Sequence, residues 1–210
     1  MSFSVGIIGL PNVGKSTLFK ALTKIQVDIA DYPFTTIEPN VGVVPVPDGR
    51  LEKIAQIVKP EKITPTIIKF VDIAGLVKDA HKGQGMGNQF LSHIRSCDAV
   101  VEVIKVFGGS KPEEDIKILE TELLMKDQET KDKELSSKPK IYLYNIKEAN
   151  GGPTSVSLRR SDLNELFINL KLEEEASELS KQELKELDIK SQLDQLILAC
   201  YNALALITFS

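Results

Sequence analysis

The hydrophobic positions of this chain fall into short runs separated by polar, glycine-rich stretches. Ser4 to Gly9 is an apolar run closed by a glycine, the pattern of a buried parallel strand. Lys15 to Thr23 carries Leu18, Phe19 and Leu22 at helical spacing, so strand, turn and helix follow one another. Asp31 to Asn40 has no periodicity and is rich in Pro, Thr and Asp, which predicts an exposed loop. Val41 to Val46 reads as a strand, and Pro45 and Pro47 place it at a sheet edge. A short helix is expected over Leu51 to Val58 and a second strong strand over Thr66 to Ile73. Ala74 to Gly87 is a glycine-rich loop that leads into a helix over Asn88 to Ser96, and Ala99 to Val106 is the third core strand.

The second half continues the alternation. Glu113 to Leu135 has Ile116, Leu119, Leu123 and Leu124 on one face, then a polar half expected to project into solvent or fray. Ile141 to Asn145 is a fourth core strand, Glu148 to Arg160 a loop, and Leu166 to Leu172 a final strand. Glu173 to Glu186 is acidic and helix-prone. Asp188 to Ile207 places Ile189, Leu193, Leu196, Ile197, Cys200 and Leu204 in the register of a packed amphipathic helix. Strands alternating with helices predict an α/β fold with a mostly parallel sheet flanked by helices.

Composition narrows the function classes. The chain has 210 residues, 42% hydrophobic and 27% charged, and suits one compact domain. Its net charge of −4 offers no global basic field to hold nucleic acid. No apolar run reaches about 18 residues, and the amino terminus lacks a charged leader, so neither a membrane span nor a secretory signal is expected. Cys97 and Cys200 are far apart in apolar stretches, which predicts reduced thiols in a cytoplasmic protein.

Gly9-Leu-Pro-Asn-Val-Gly14-Lys15-Ser16 fits G-x-x-x-x-G-K-[ST] without a mismatch, after a strand and before a helix. Such a loop wraps a phosphate so that successive backbone N–H groups point at its oxygens, which needs glycine at the closest approaches. Lys15 supplies charge to the β- and γ-phosphates, the Ser16 hydroxyl ligates Mg²⁺, and the helix start adds its dipole. Asp72-Ile-Ala-Gly75 ends a core strand in D-x-x-G. There Asp72 can hold Mg²⁺ through water, and the Gly75 N–H can meet a γ-phosphate. Thr35 and Thr36 lie between the two motifs, either as turn formers or as a clasp over Mg²⁺ and the γ-phosphate. Leu76 stands where Ras-type GTPases carry the glutamine that orients the attacking water, and it cannot do so. His81 is the nearest replacement in that loop, the alternative being a solvated surface residue.

Guanine recognition commonly rests on N-K-x-D after a core strand. Here that place reads Asn145-Ile146-Lys147-Glu148. The longer acid displaces the carboxylate and spoils a bidentate grip on guanine, and Ile146 offers an apolar surface to a base. Adenine is favoured, with guanine left open.

Taken together, these segments resemble the Obg-like ATPase (YchF) family of P-loop GTPases. The resemblance is carried by residues 9–17, by Tyr32-Pro-Phe-Thr-Thr-Ile-Glu-Pro-Asn40, by Asp72-Ile-Ala-Gly-Leu-Val-Lys78, by His81 to Leu91, by Asn145 to Glu148 and by Tyr201 to Phe209. It implies a P-loop NTPase (G-domain) fold and a Mg²⁺-dependent ATPase that also accepts GTP. By position it assigns Asn12, Val13, Gly14, Lys15, Ser16 and Thr17 to phosphate binding, Ser16 and Thr36 to Mg²⁺, Ile146 to the base, and His81 to the role of the missing glutamine. It also implies association with ribosomes. The family carries a long helical insertion and a C-terminal TGS domain. Here a single G domain over 1–210 is expected, with a shortened insertion at about 113–138, no TGS domain and a monomeric state. Near the base site the family's serine-alanine-lysine reads Asn169-Leu170-Lys171, which makes Lys171 a weaker base contact. The alternative to an ATPase is a nucleotide-binding regulatory module with negligible turnover, which Leu76 favours.

Overall fold

The computed structural model describes residues 3–25, 40–73, 86–131, 134–147 and 164–204. Its strands are β1 (Phe3–Ile8), β2 (Val41–Pro45), β3 (Ile67–Asp72), β4 (Ala99–Lys105), β5 (Lys140–Asn145) and β6 (Asn164–Ile168). Among the described residues they form one six-stranded sheet in the order β2-β3-β1-β4-β5-β6. All neighbours run parallel except β2, which pairs antiparallel with β3 at the edge where its prolines place it. The helices are α1 (Lys15–Lys24), α2 (Gly49–Val58), α3 (Met86–Ser96), α4 (Pro112–Thr130), α5 (Leu170–Ala176), α6 (Lys181–Glu186) and α7 (Leu193–Ala203).

Both faces of the sheet are covered, which is why the central strands read as continuous apolar runs rather than alternating ones. On one face Val5, Ile7, Val101, Val103, Ile141 and Leu143 meet Leu18 and Leu22 of α1 and Leu193, Leu196 and Ile197 of α7. On the other, Ile8 and Val100 meet Leu91 and Ile94 of α3 and Leu119 and Leu123 of α4. Leu18 and Leu22 are fully buried, each worth about 2–3 kcal/mol against exposure. Cys97 and Cys200 are free thiols in clusters on opposite faces of the sheet.

Strand order reverses around β1, whose neighbours are β3 on one side and β4 on the other. In open parallel sheets that reversal opens a crevice beyond the carboxyl ends of the strands. The glycine loop, Asp72, Lys105, Asn145 and Asn169 all stand at those ends.

Three elements differ from the pattern-based expectations. The last strand stops at Ile168 instead of running to Leu172, because the Asn169 side chain accepts from the Leu172 N–H at 3.0 Å and caps α5. The polar half of the fourth long helix neither frays nor stands free. It stays helical to Thr130, and buried Asp127 accepts from the N–H groups of Leu135 (3.0 Å) and Ser136 (2.7 Å), folding the following turn back onto it. The acidic stretch is helical as expected, in α5 and α6, and Ser180 starts α6 with a reciprocal capping box to Glu183. The last helix begins at Leu193, beyond Ile189, whose N–H bonds to Leu184 O at 2.9 Å instead.

Candidate functional site

The glycine loop between β1 and α1 has the backbone a phosphate cradle needs. Gly9 (φ 151°), Asn12 (φ 61°) and Gly14 (φ 112°) all have positive φ, a conformation side chains resist. Gly9 has a second constraint: a Cβ there would lie 2.6 Å from the Val103 carbonyl oxygen of β4. Val13 is buried and anchors the loop in the core, and Leu18 N–H bonds to Gly14 O at 2.9 Å to begin α1.

Lys15 lies inside this ring. Its ammonium donates to the carbonyls of Gly9 (3.1 Å) and Leu10 (2.9 Å), and the side chain is largely buried. Burial lowers its pKa, opposed by the negative charge of Asp72. Burial likewise raises the Asp72 pKa, opposed by Lys15. Burial is the larger influence on both, so each is shifted toward its neutral form and the charge of the other offsets this only in part. Ser16 is exposed in the first turn of α1, and Thr17 is half-buried behind it. An exposed hydroxyl and one carboxylate are hard oxygen donors, and this sparse set suits a magnesium ion that keeps most of its waters. Asp72 is held at the end of β3, opposite Ile7 of β1, with its N–H on Asn40 O at 2.9 Å.

A cavity of about 760 Å³ extends from the loop along the strand ends. Asn12, Gly14 and Thr17 line one end, Asn145, Ile146 and Lys147 the floor, and Lys105, Phe107 and Asn169 the rim. Its size is that of a small-ligand site. A second cavity of about 570 Å³ lies between α2 and α7, away from the glycine loop. Only the first combines the cradle with strand carboxyl ends.

Asn145 ties the two halves of the site together. Its Nδ2 donates to Val13 O at 2.9 Å and its Oδ1 accepts from Leu170 N–H at 3.3 Å, which joins the glycine loop to the start of α5. Ile146 is buried beside it, with its N–H on Ile168 O at 3.0 Å. Asn169 donates to Lys147 O at 2.8 Å and so braces the same turn.

The structure thus brings together Asn12, Val13, Gly14, Lys15, Ser16, Thr17, Asp72, Asn145 and Ile146. Thr36, Gly75, His81 and Glu148, with Thr35 and Leu76, lie outside the described residues. Lys171 does line the cavity. Sequence reasoning missed Lys105 and Phe107, whose ammonium and ring stack at 4.8 Å on the cavity rim. The available signal was a core strand ending in Lys105-Val-Phe-Gly-Gly, since every strand end on this edge contributes to the site. It also missed the structural half of Asn145's role, because a partner 132 residues away cannot be read from local spacing.

Comparison with known proteins agrees with this geometry. Residues 4–146 match the family described as 50S ribosome-binding GTPase. The chain is 36% identical to the ribosome-binding ATPase YchF of Bacillus subtilis (strain 168), over all of this chain and 78% of that protein. The chain belongs to the YchF family of P-loop ATPases. The structure of the Schizosaccharomyces pombe YchF GTPase superposes with a TM-score of 0.78 at 28% identity, covering 96% of this chain and 75% of that one. A match to the YchF of Escherichia coli O157:H7 reaches 53% identity over 62% of this chain but spans only 38% of that protein. The mostly parallel sheet and flanking helices are those of the P-loop G domain.

Proposed function

We propose that this chain binds and hydrolyses nucleoside triphosphates with Mg²⁺, prefers ATP to GTP, and works as a switch on the ribosome. The observation that carries the reading is the Lys15 ammonium held by the Gly9 and Leu10 carbonyls inside a loop of positive-φ residues. Those carbonyls hold the cation in place until phosphate oxygens, which are far stronger partners, take it over. The backbone N–H groups of residues 12–17 and the start of α1 face the same ligand. Catalysis on this reading is electrostatic: Lys15 and the loop amides offset the charge that develops on the transferring phosphoryl group. When bound, Mg²⁺ supplies further neutralisation of the phosphates, held by Ser16 and Thr36 directly and by Asp72 through water. Gly75 contributes its N–H to the γ-phosphate, and His81 orients the attacking water where Leu76 cannot.

The base sits over Ile146 with Asn145 beneath, and the shift from Asp to Glu at 148 removes the short carboxylate that selects guanine. The ribosome enters as the partner that the relatives' names give for those proteins. No described helix is long and apolar enough to cross a membrane. We place the chain in the cytoplasm as a monomer, organised as one G domain over 1–210. The match to the Bacillus relative runs over 285 residues where this chain has 210, and on our reading α4 and the turn after it are the shortened form of the family's helical insertion.

Single-turnover phosphate release with ATP and GTP tests the reading. Release of one phosphate per bound ATP, slowed by His81→Ala without loss of affinity, is expected. A second reading, binding with negligible turnover, is favoured by Leu76. Nucleotide that stays bound and intact would establish it.

A further inference from the structure

Glu102 lies in the middle of β4, fully buried, and among the described residues neither carboxylate oxygen has a hydrogen-bond partner. Val101 and Val103 belong to the core on the α1 and α7 face, so strand alternation turns Glu102 to the α4 face with Val100 and Ile104. There it divides the apolar packing in two: the Ile8, Val100 and Leu119 cluster on one side, Ile104, Ile116 and Tyr142 on the other. Its cross-strand neighbours are Ile8 of β1 and Tyr142 of β5. The charged groups that face it are Lys140 on β5 and Glu120 on α4, and the Glu120 carboxylate already accepts from the Tyr142 hydroxyl at 3.1 Å. A carboxyl so placed is tolerated neutral and costs a great deal ionised.

This carboxyl also underlies the phosphate loop. Ile8, opposite Glu102, immediately precedes Gly9, and Gly9 packs against the carbonyl of Val103, the next residue after Glu102. Leu10 of the loop rests on the same apolar cluster as Ile8 and Val100, and the Leu10 carbonyl holds Lys15.

We propose that Glu102 is a positioning residue for the phosphate loop, which grips a triphosphate only while this carboxyl keeps its proton. The inference rests on the nucleotide reading above. Ionisation puts a charge without a hydrogen-bond partner between two buried apolar clusters, and the relief available is water entry under α4, along the surface that supports Ile8 and Leu10. Because burial raises the Glu102 pKa to about 8, against the opposing pull of Lys140, the transition falls in an accessible range. By about pH 9 roughly nine-tenths of the free protein would be ionised, so the apparent Kd for nucleotide rises about tenfold from its value near pH 7.

The test is calorimetric titration of the full chain with Mg-ATP across this range, for the wild type, Glu102→Gln and Glu102→Leu. Lys15 titrates in all three proteins, so the difference between profiles isolates Glu102. Affinity that falls about tenfold in the wild type and stays within about twofold in the neutral variants supports the proposal. Superimposable profiles overturn it. The thermal midpoint of the nucleotide-free protein, followed from about pH 5 to pH 9 for the wild type and Glu102→Leu, needs no ligand. A wild-type midpoint that declines relative to the variant's from about pH 5 to pH 8 and then levels supports titration of the buried carboxyl, and a difference that does not change with pH overturns it. A wild type that holds no ATP at any pH contradicts the nucleotide reading and the coupling together. The melting profile still shows whether Glu102 titrates, which separates the two failures.

Discussion

Replacing Asn145 by alanine removes two hydrogen bonds made by its side chain. Val13 O, in the phosphate loop, loses its donor at 2.9 Å, and the Leu170 N–H, at the start of α5, loses its acceptor at 3.3 Å. Asn145 is buried, so water does not freely replace either partner. Stranding a buried polar group costs about 1–3 kcal/mol, with the longer bond at the low end, giving about 3 kcal/mol for the pair. Against a total stability of about 5–15 kcal/mol this is a large loss, and it lowers Tm by about 6–12 °C for a chain of this size. Urea denaturation measures it as a lower midpoint at unchanged slope. Asn145→Asp is the sharper control, because its volume is the same but a carboxylate oxygen replaces the amide that donates to Val13 O. It should lose at least as much stability above the range where Asp ionises. If both variants lie within about 1 kcal/mol of the wild type, the residue is not the pin between loop and α5 that its bonds describe.

Other outcomes follow from the same geometry. Gly9→Ala forces a Cβ to within 2.6 Å of a backbone oxygen at φ 151°, so it should cost about 2 kcal/mol in urea titrations and weaken nucleotide binding; a neutral effect would mean the loop can shift away from β4. Ile146→Lys combined with Glu148→Asp should raise the GTP-to-ATP affinity ratio by at least about tenfold in competition binding, and an unchanged ratio would move base recognition elsewhere. Glu102 holds its proton in the folded chain, up to about pH 8, but has released it above about 4.5 when unfolded. The contribution of Glu102 to wild-type stability therefore falls by up to roughly 1.4 kcal/mol per pH unit between those values and levels above them. Glu102→Leu should remove that slope in urea titrations repeated across the range.

Much of this fold was legible because its signals are local. A buried strand, a glycine turn and a helix with Leu18 and Leu22 in register define the phosphate loop without any tertiary information, and the prolines at 45 and 47 mark the edge strand. The misread elements depended on single side chains. Leu166 to Leu172 looks like one apolar strand until Asn169 caps a helix inside it, since a cap overrides a continuous hydrophobic run. The polar end of α4 looks free until Asp127 captures two N–H groups of the next turn, a contact eight and nine residues away. At the site the motif residues were readable one by one. Their joining through Asn145, and the approach of Lys105 and Phe107 from β4, depend on strand order, which local spacing does not encode. Glu102 was passed over for another reason: the run Val-Val-Glu-Val-Ile marks a strand covered on both faces, but a lone acid within it matches no motif and shows no partner or lack of one.

The central claim is that a ring of backbone amides around one ammonium grips a triphosphate, and calorimetry of the wild type and Lys15→Ala with Mg-ATP and Mg-GTP tests it most directly. We expect saturable binding to the wild type, tighter for ATP, and a loss of about a hundredfold or more in the variant, as befits removal of a charge-assisted partner from a largely buried site. Equal affinity in the two proteins would contradict the account.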